Sequence, residues 1–406
     1  MGVEFQMKRL SPTGEGCPAF RKISTEEGGS VELRPRGVVG GSDGVPPTRV
    51  RSPPRMSPIA TILSYAGLAV VSTAVVWKGS EWLESSTEKL SAHYQIPPLV
   101  QGSVVLAVGS SFPELSTAVL STALHGEFEL GVAAVVGSAL FNVLMIPALA
   151  GLCADGNLVS TRDLIYKETQ FYLVAIMALL LVFSFAVIYN PVGGTLGAQK
   201  GVLTRGLSLL PLVLYGVYVY LQYQDTREHV PEAPSIEISL WKQGSILGGS
   251  LVVILIGVEG LVQSAIMFGK AFDTPSFLWG ITVVAAGTSL PDAFVSIRAA
   301  QSGNAVTSVA NVLGSNIFDL LVCIPAGVLV AGAVSINYSV GVPMMGVLTL
   351  ATFVVLLAMR SEMVLTRSEA WGLILIYVVF VLWMGGETFG AVDLIPNLPP
   401  PVAAGS

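Results

Sequence analysis

The sequence predicts an all-α polytopic membrane protein of ten transmembrane helices arranged as two inverted five-helix repeats, on three observations. Hydrophobic residues make up 52% of the chain and charged residues only 12%, and mean hydropathy is +0.70. Ten apolar segments follow residue 56, each near the roughly 20 residues that cross a bilayer. One polar-punctuated pattern is also written twice. The balance excludes other classes: a net charge of −6 gives no basic footprint for nucleic acid, and no glycine-rich phosphate loop is present.

Taken in order, residues 1–55 are polar, rich in Gly and Pro and without apolar periodicity, and read as a disordered N-terminal tail. They lack the apolar core of a signal peptide. Met56 directly precedes the first span, so translation is expected to start there; an intact native N-terminus containing Met1 to Arg55 would overturn that. The spans are expected at 58–80, 97–124, 128–153, 168–190, 202–222, 243–269, 276–300, 304–332, 337–359 and 368–388. The first repeat is thus 56–222 and the second 243–390, with a polar linker at 223–242 and a C-terminal tail at 391–406. An odd number of spans per half inserts the second half upside down relative to the first. Lys and Arg concentrate in the loops after odd-numbered spans, as with Lys78, Lys89, Arg162, Lys167, Arg298 and Arg360. That bias places both termini outside the cytosol.

The duplication centres on Gly102 to Asn142 and Gly280 to Asp319. Gly102, Gly109 and Glu114 match Gly280, Gly287 and Asp292 at a separation of 178 residues, and Gly79 and Glu81 extend the register to Gly257 and Glu259. One residue of slip aligns Gly137-Ser138 and Phe141-Asn142 with Gly314-Ser315 and Phe318-Asp319. Small residues recur in membrane helices because they permit close packing. GSSFPE with GTSLPD, followed by GSALFN with GSNIFD, exceeds what that accounts for.

Carboxylates at membrane depth are costly and usually mark an ion or proton path. Pro113 and Pro291 each remove a helix donor and are expected to free carbonyl oxygens near Gly109 and Gly287. Ser110 and Glu114 share a helix face at i, i+4, as do Thr288 and Asp292, Ser138 and Asn142, and Ser315 and Asp319. Two such half-sites crossing at the midplane would supply the six to eight hard oxygens that Ca2+ takes, with subsets for monovalent cations. Three carboxylates facing one cavity would repel one another unless cations or protons compensate, which favours exchange over uniport. Plain structural roles are expected for Ser103 and Ser116, bonded back to their own helix. Glu81 and Glu259 are further candidates through their repeat match, His93, His125 and His229 read as loop or linker residues, and Cys17, Cys153 and Cys323 suggest neither disulfide nor zinc site.

At these motifs the chain resembles the cation/calcium exchanger superfamily, whose two repeats carry G-[ST]-S-x-P-[ED] followed by G-S-[NA]-x-x-[ND]. The resemblance implies Glu114 and Asp292 as paired Ca2+ ligands, helped by Ser110, Thr288 and the carbonyls near Ala107 and Ala285. It implies that Ser111, Ser138, Asn142, Ser289, Ser315 and Asp319 line flanking sites for the counter-ion. The proton-coupled branch carries a different core motif, so Na+ is the implied counter-ion. Asp319 and Ala139 fit the potassium-dependent branch, which adds K+ to the transported ions. The expectation is therefore a Ca2+/Na+ antiporter of the plasma membrane working by alternating access, without cofactor or nucleic-acid partner, and with proton-coupled cation exchange as the alternative. An intramembrane aspartyl protease is disfavoured because its GxGD motif is missing, and a channel because no carbonyl-filter signature is present.

Overall fold

The computed structural model describes residues 58–96, 101–153, 158–159, 164–192, 199–226, 238–302, 305–360, 363–389 and 391–392. The readings made for the N-terminal tail, Met56, Cys17, His229, most of the linker and the C-terminal tail from residue 393 fall outside them.

The described chain is helical. Nine helices are long and apolar enough to cross a membrane, and one broken pair makes a tenth span. In order these are α1 (Pro58–His93); the broken span of a π-helical stretch Gln101–Leu106, α2 (Ala107–Ser110) and α3 (Phe112–Ala123); α4 (Phe128–Cys153); α5 (Thr169–Tyr189), led by a π-helical stretch Leu164–Glu168; and α6 (Arg205–Thr226). The second half follows as α7 (Leu240–Phe272); α8 (Ser276–Trp279), π-helical Gly280–Val284 and α9 (Ala285–Gln301) in one span; α10 (Ala305–Phe318), π-helical Asp319–Cys323 and α11 (Ile324–Ala331) in another; α12 (Tyr338–Arg360); and α13 (Arg367–Thr388). All ten predicted spans are present. Boundaries move by three or four residues at several spans and furthest at α1, which continues to His93 rather than stopping near residue 80; α6 runs to Thr226 and α7 begins at Leu240, which shortens the linker expected at 223–242. Polar residues late in α1 hid its last turns from a hydropathy count.

Burial sorts the spans. α4 has 89% of its apolar window buried, because Gly131, Gly137 and a run of Ala and Val let neighbours approach on every side. α1, by contrast, exposes Ile59, Leu63, Val70 and Val71, and α13 exposes Leu375 and Leu382, as suits helices facing acyl chains.

Five short strands tie loops together. β1 (Leu158–Val159) pairs antiparallel with β5 (Val364–Leu365), and β3 (Lys200–Thr204) lies between β2 (Pro191–Val192) and β4 (Ala333–Asn337). Each sheet joins the first half to the second, in the register Leu158 to Leu365 and Gly201 to Ile336. Only β4, Ala-Val-Ser-Ile-Asn, alternates apolar with polar residues, and over too short a run to betray a strand in sequence.

α1 and α7 form the most extensive helix pair. Its contacts are reciprocal: a Cβ on Gly79 would meet Ile254 and the Ser250 carbonyl, and one on Gly257 would meet Val76 and the Ser72 carbonyl. Ile254 and Val76, and Ser250 and Ser72, stand 178 residues apart, the register of the duplication. The pair runs antiparallel, since Ser86, later in α1, bonds the carbonyl of Gln243, earlier in α7, at 2.8 Å. Helices equivalent by sequence thus meet head to tail about a local pseudo-twofold.

Candidate cation site

Four motifs converge where the two halves cross. In the first half, Pro113 has no N–H to give its helix, and the span bends by 46° between Val104–Ser110 and Phe112–Ala123. Ser111 sits at the break, its N–H bonded to the Ala107 carbonyl at 3.0 Å. The second-half counterpart keeps Pro291 inside an unbroken α9, so the two proline positions are structurally unequal. Both spans carry a π-helical stretch just before the motif, Gln101–Leu106 and Gly280–Val284. Such irregular turns shift backbone groups out of the regular ladder and recur at functional sites.

Glu114, Asp292 and Asp319 are 2%, 3% and 0% exposed. The Ser138 hydroxyl donates to Glu114 Oε1 at 2.9 Å and lies 2.7 Å from the Ser289 hydroxyl; Thr288 also adjoins the Glu114 carboxylate. Ser111 Oγ reaches the Ser315 carbonyl at 3.4 Å. Ser111 to Ser315 and Ser289 to Ser138 are the same crossing seen from either half. Ser110 and Thr288 instead donate to the Ala107 and Ala285 carbonyls, at 3.4 and 3.2 Å. That keeps these hydroxyls and carbonyls together as adjacent oxygens. Ser116 bonds back to the Phe112 carbonyl at 2.7 Å, the structural role expected of it.

The oxygens left over are informative. Glu114 Oε2, Asn142 Oδ1, Asp292 Oδ1 and Asp319 Oδ2 are buried acceptors without a hydrogen bond. Among the described residues no Lys, Arg or His forms an ion pair with any of the three carboxylates. The Glu114 charge acts on both Asp292 and Asp319, and the Asp319 charge on Asp292. An uncompensated buried carboxylate is expensive, and four orphan acceptors in one interior call for a positive ligand. Among the described residues no three His, Cys, Asp or Glu side chains close on a single point. An ion here must therefore draw on hydroxyl, amide and carbonyl oxygens beside one or two carboxylates, a donor set suited to hard cations.

Three neighbours escaped the sequence reading. Asn316 donates to the Ala139 carbonyl at 3.1 Å and to the Tyr172 hydroxyl at 3.3 Å, and its Oδ1 accepts from Asn142 Nδ2 at 3.1 Å. It fills the place that Ala139 leaves apolar in the first half; the mismatch in the aligned motifs was its signal. Cys323 places its thiol 3.7 Å from Asp319 Oδ1, a contact one helical turn away that spacing alone permits. Tyr172, fully buried, had no signal. Glu81 and Glu259, matched in sequence, part company: Glu81 pairs with Lys78 at 2.7 Å on an exposed surface, whereas Glu259 meets His125 at 2.9 Å, half-buried. Neither joins the central group.

The chain matches the family model described as sodium/calcium exchanger protein over residues 64–224 and 244–386. It is 28% identical over 271 residues to the inner membrane protein YrbG of Escherichia coli, covering 64% of this chain and 78% of that one. Human sodium/potassium/calcium exchanger 5 is 24% identical over 327 residues, 59% of this chain and 65% of that protein. In fold, it resembles the solved structure of the sodium-calcium exchanger NCX_Mj soaked with Na+ and Sr2+, with a TM-score of 0.55 at 20% identity, over 79% of this chain and 99% of the other.

Proposed function

The chain belongs to the sodium/calcium exchanger protein family, and on that premise we propose that it is an antiporter exchanging Ca2+ for Na+ across a membrane by alternating access. The observation that carries this reading is the set of unpartnered acceptors on Glu114, Asn142, Asp292 and Asp319, drawn from both halves and buried together without a cationic side chain. Such a site is stable only when positive charge occupies it, so release of one ion is coupled to uptake of another.

In this reading Glu114 and Asp292 ligate Ca2+, with Ser110, Thr288 and the carbonyls of Ala107 and Ala285 completing a shell of six to eight oxygens. The hydroxyls need only rotate from carbonyl to ion. Ser111, Ser138, Asn142, Ser289 and Ser315 serve the flanking Na+ positions. Asp319 supplies the charge for K+ as a further transported ion. The antiparallel pair α1 and α7, packed through Gly79 and Gly257, is the element that rocks against the rest to open one face and then the other. The two five-helix repeats run from α1 to α6 and from α7 to α13, both termini lie outside the cytosol, and the plasma membrane is the proposed location.

The test is 45Ca2+ uptake into proteoliposomes loaded with Na+, with external K+ present or absent. Uptake that requires internal Na+ and is lost in Asp292→Asn supports the proposal. A response to a pH gradient with indifference to Na+ would replace it with proton-coupled exchange.

A further inference from the structure

One polar feature of the bundle lies outside the four motifs. Ser80, Glu84, Thr87 and Ser91 follow one another at intervals of four, three and four residues, so they stand in a single stripe along α1. Ser80, Thr87 and Ser91 are 1%, 8% and 1% exposed, and the Ser80 and Ser91 hydroxyls are buried without a hydrogen bond. Glu84 is half-buried. Among the described residues its carboxylate has no hydrogen-bond or ion-pair partner.

The stripe runs beside the site. Trp77, just before it, stacks on Phe294 of α9 at 4.1 Å between ring centres, two residues past Asp292, and Thr87 faces Gly109 at the start of the first motif. Ser296, one turn beyond Asp292, is 1% exposed with its hydroxyl also unpartnered. The Glu84 charge acts on Asp292 from along α1; the other charges around it are those of Glu81, Glu88 and Arg298.

The matched positions of α7 carry no polar side chain. The repeat counterparts of Ser80, Glu84, Thr87 and Ser91 on α7 are Val258, Val262, Ala265 and Gly269, the first three wholly buried. A membrane helix that carries a carboxylate and orphan hydroxyls where its twin carries Val and Ala has a use for them.

We propose that Glu84, with the Ser80 and Ser296 hydroxyls, forms a staging subsite for hard cations, Ca2+ foremost, that feeds Asp292 from the membrane face where α1 ends and is not repeated at the matched positions of α7. An approaching cation sheds part of its water onto Glu84 and Ser80, then passes to the central carboxylates. The charge also concentrates cations at the mouth of the passage. At the matched positions of α7 the Val and Ala side chains offer no such stop, and the carboxylate that α7 does carry, Glu259, is held by His125 at 2.9 Å and by Gln263 at 2.8 Å.

This inference rests on the exchange activity proposed above. Na+-driven 45Ca2+ flux is measured in right-side-out and everted membrane vesicles carrying wild type, Glu84→Gln or Glu84→Asp, at low and high ionic strength. The half-saturating Ca2+ of Glu84→Gln is expected to rise about threefold or more on one face only, and Glu84→Asp to restore most of it. The gap should narrow as salt screens the charge, which a loss of packing would not reproduce. A rise equal on both faces, no rise on either, or a gap indifferent to salt overturns the subsite. Absence of Na+-driven flux in the wild type would instead overturn the exchange reading itself.

Discussion

The Ser138 hydroxyl lies 2.7 Å from the Ser289 hydroxyl, joining the second motif of the first half to the first motif of the second. Ser138 also holds Glu114 Oε1 at 2.9 Å. One side chain thereby sets the position of a carboxylate and the spacing of the two halves.

Ser138→Ala removes both contacts and leaves Glu114 without this donor. Leaving a buried charged acceptor unpaired costs about 1–3 kcal/mol. The half-saturating Ca2+ of Na+-driven uptake is expected to rise by about tenfold. Unchanged Ca2+ dependence would show that Glu114 does not need this support.

Gly137→Ala acts on packing. Its Cβ would lie 2.5 Å from the Ile281 carbonyl and 2.9 Å from Ile281 Cα, both backbone atoms that cannot swing aside. The loss is expected at about 1–3 kcal/mol, read as a lower thermal midpoint in detergent. Gly248→Ala, at a position where a Cβ would meet nothing within 4 Å, should leave the midpoint unchanged or raise it.

Asp319→Asn tests the third carboxylate. The residue is fully buried, with Oδ2 unpartnered, and Asn keeps its shape while removing its charge. Stimulation of Ca2+ uptake by external K+ is expected to disappear while Na+-driven uptake persists. Stimulation that survives would move K+ binding elsewhere.

Thr366→Ala should affect folding alone. Thr366 caps α13 in a reciprocal box: Glu369 N–H donates to its hydroxyl at 3.4 Å, and its own N–H donates to Glu369 Oε2 at 2.9 Å. Removing a cap of this type costs about 1 kcal/mol. Thermal stability in detergent should fall, with uptake per folded molecule preserved.

The sequence made the ten spans legible because each is a long apolar run, and it made the central residues legible because they occur twice. Glu114, Asp292, Ser138 and Ser315 stood out through their repeat mates. What it hid was whatever broke the repeat. Glu84 has Val262 opposite it, so alignment of the halves passed over it. The thiol of Cys323 looked like plain core until the π-helical stretch Asp319–Cys323 set it against Asp319. The strands were invisible for another reason: two to five residues between long helices carry too little periodicity to register.

The pseudo-twofold crossing of α1 and α7 bears on how such a chain could arise. Gly79 meets Ile254 as Gly257 meets Val76, and a contact in which each partner presents the same patch to the other is the kind a homodimer makes. A half-length ancestor that inserted in both orientations would have closed this interface with a single sequence and two motifs, each present twice. Fusion would free the copies to diverge. The polar stripe on α1, the valines opposite it, and the pairing of Asn142 with Asp319 across the repeat are differences that no symmetric dimer could hold.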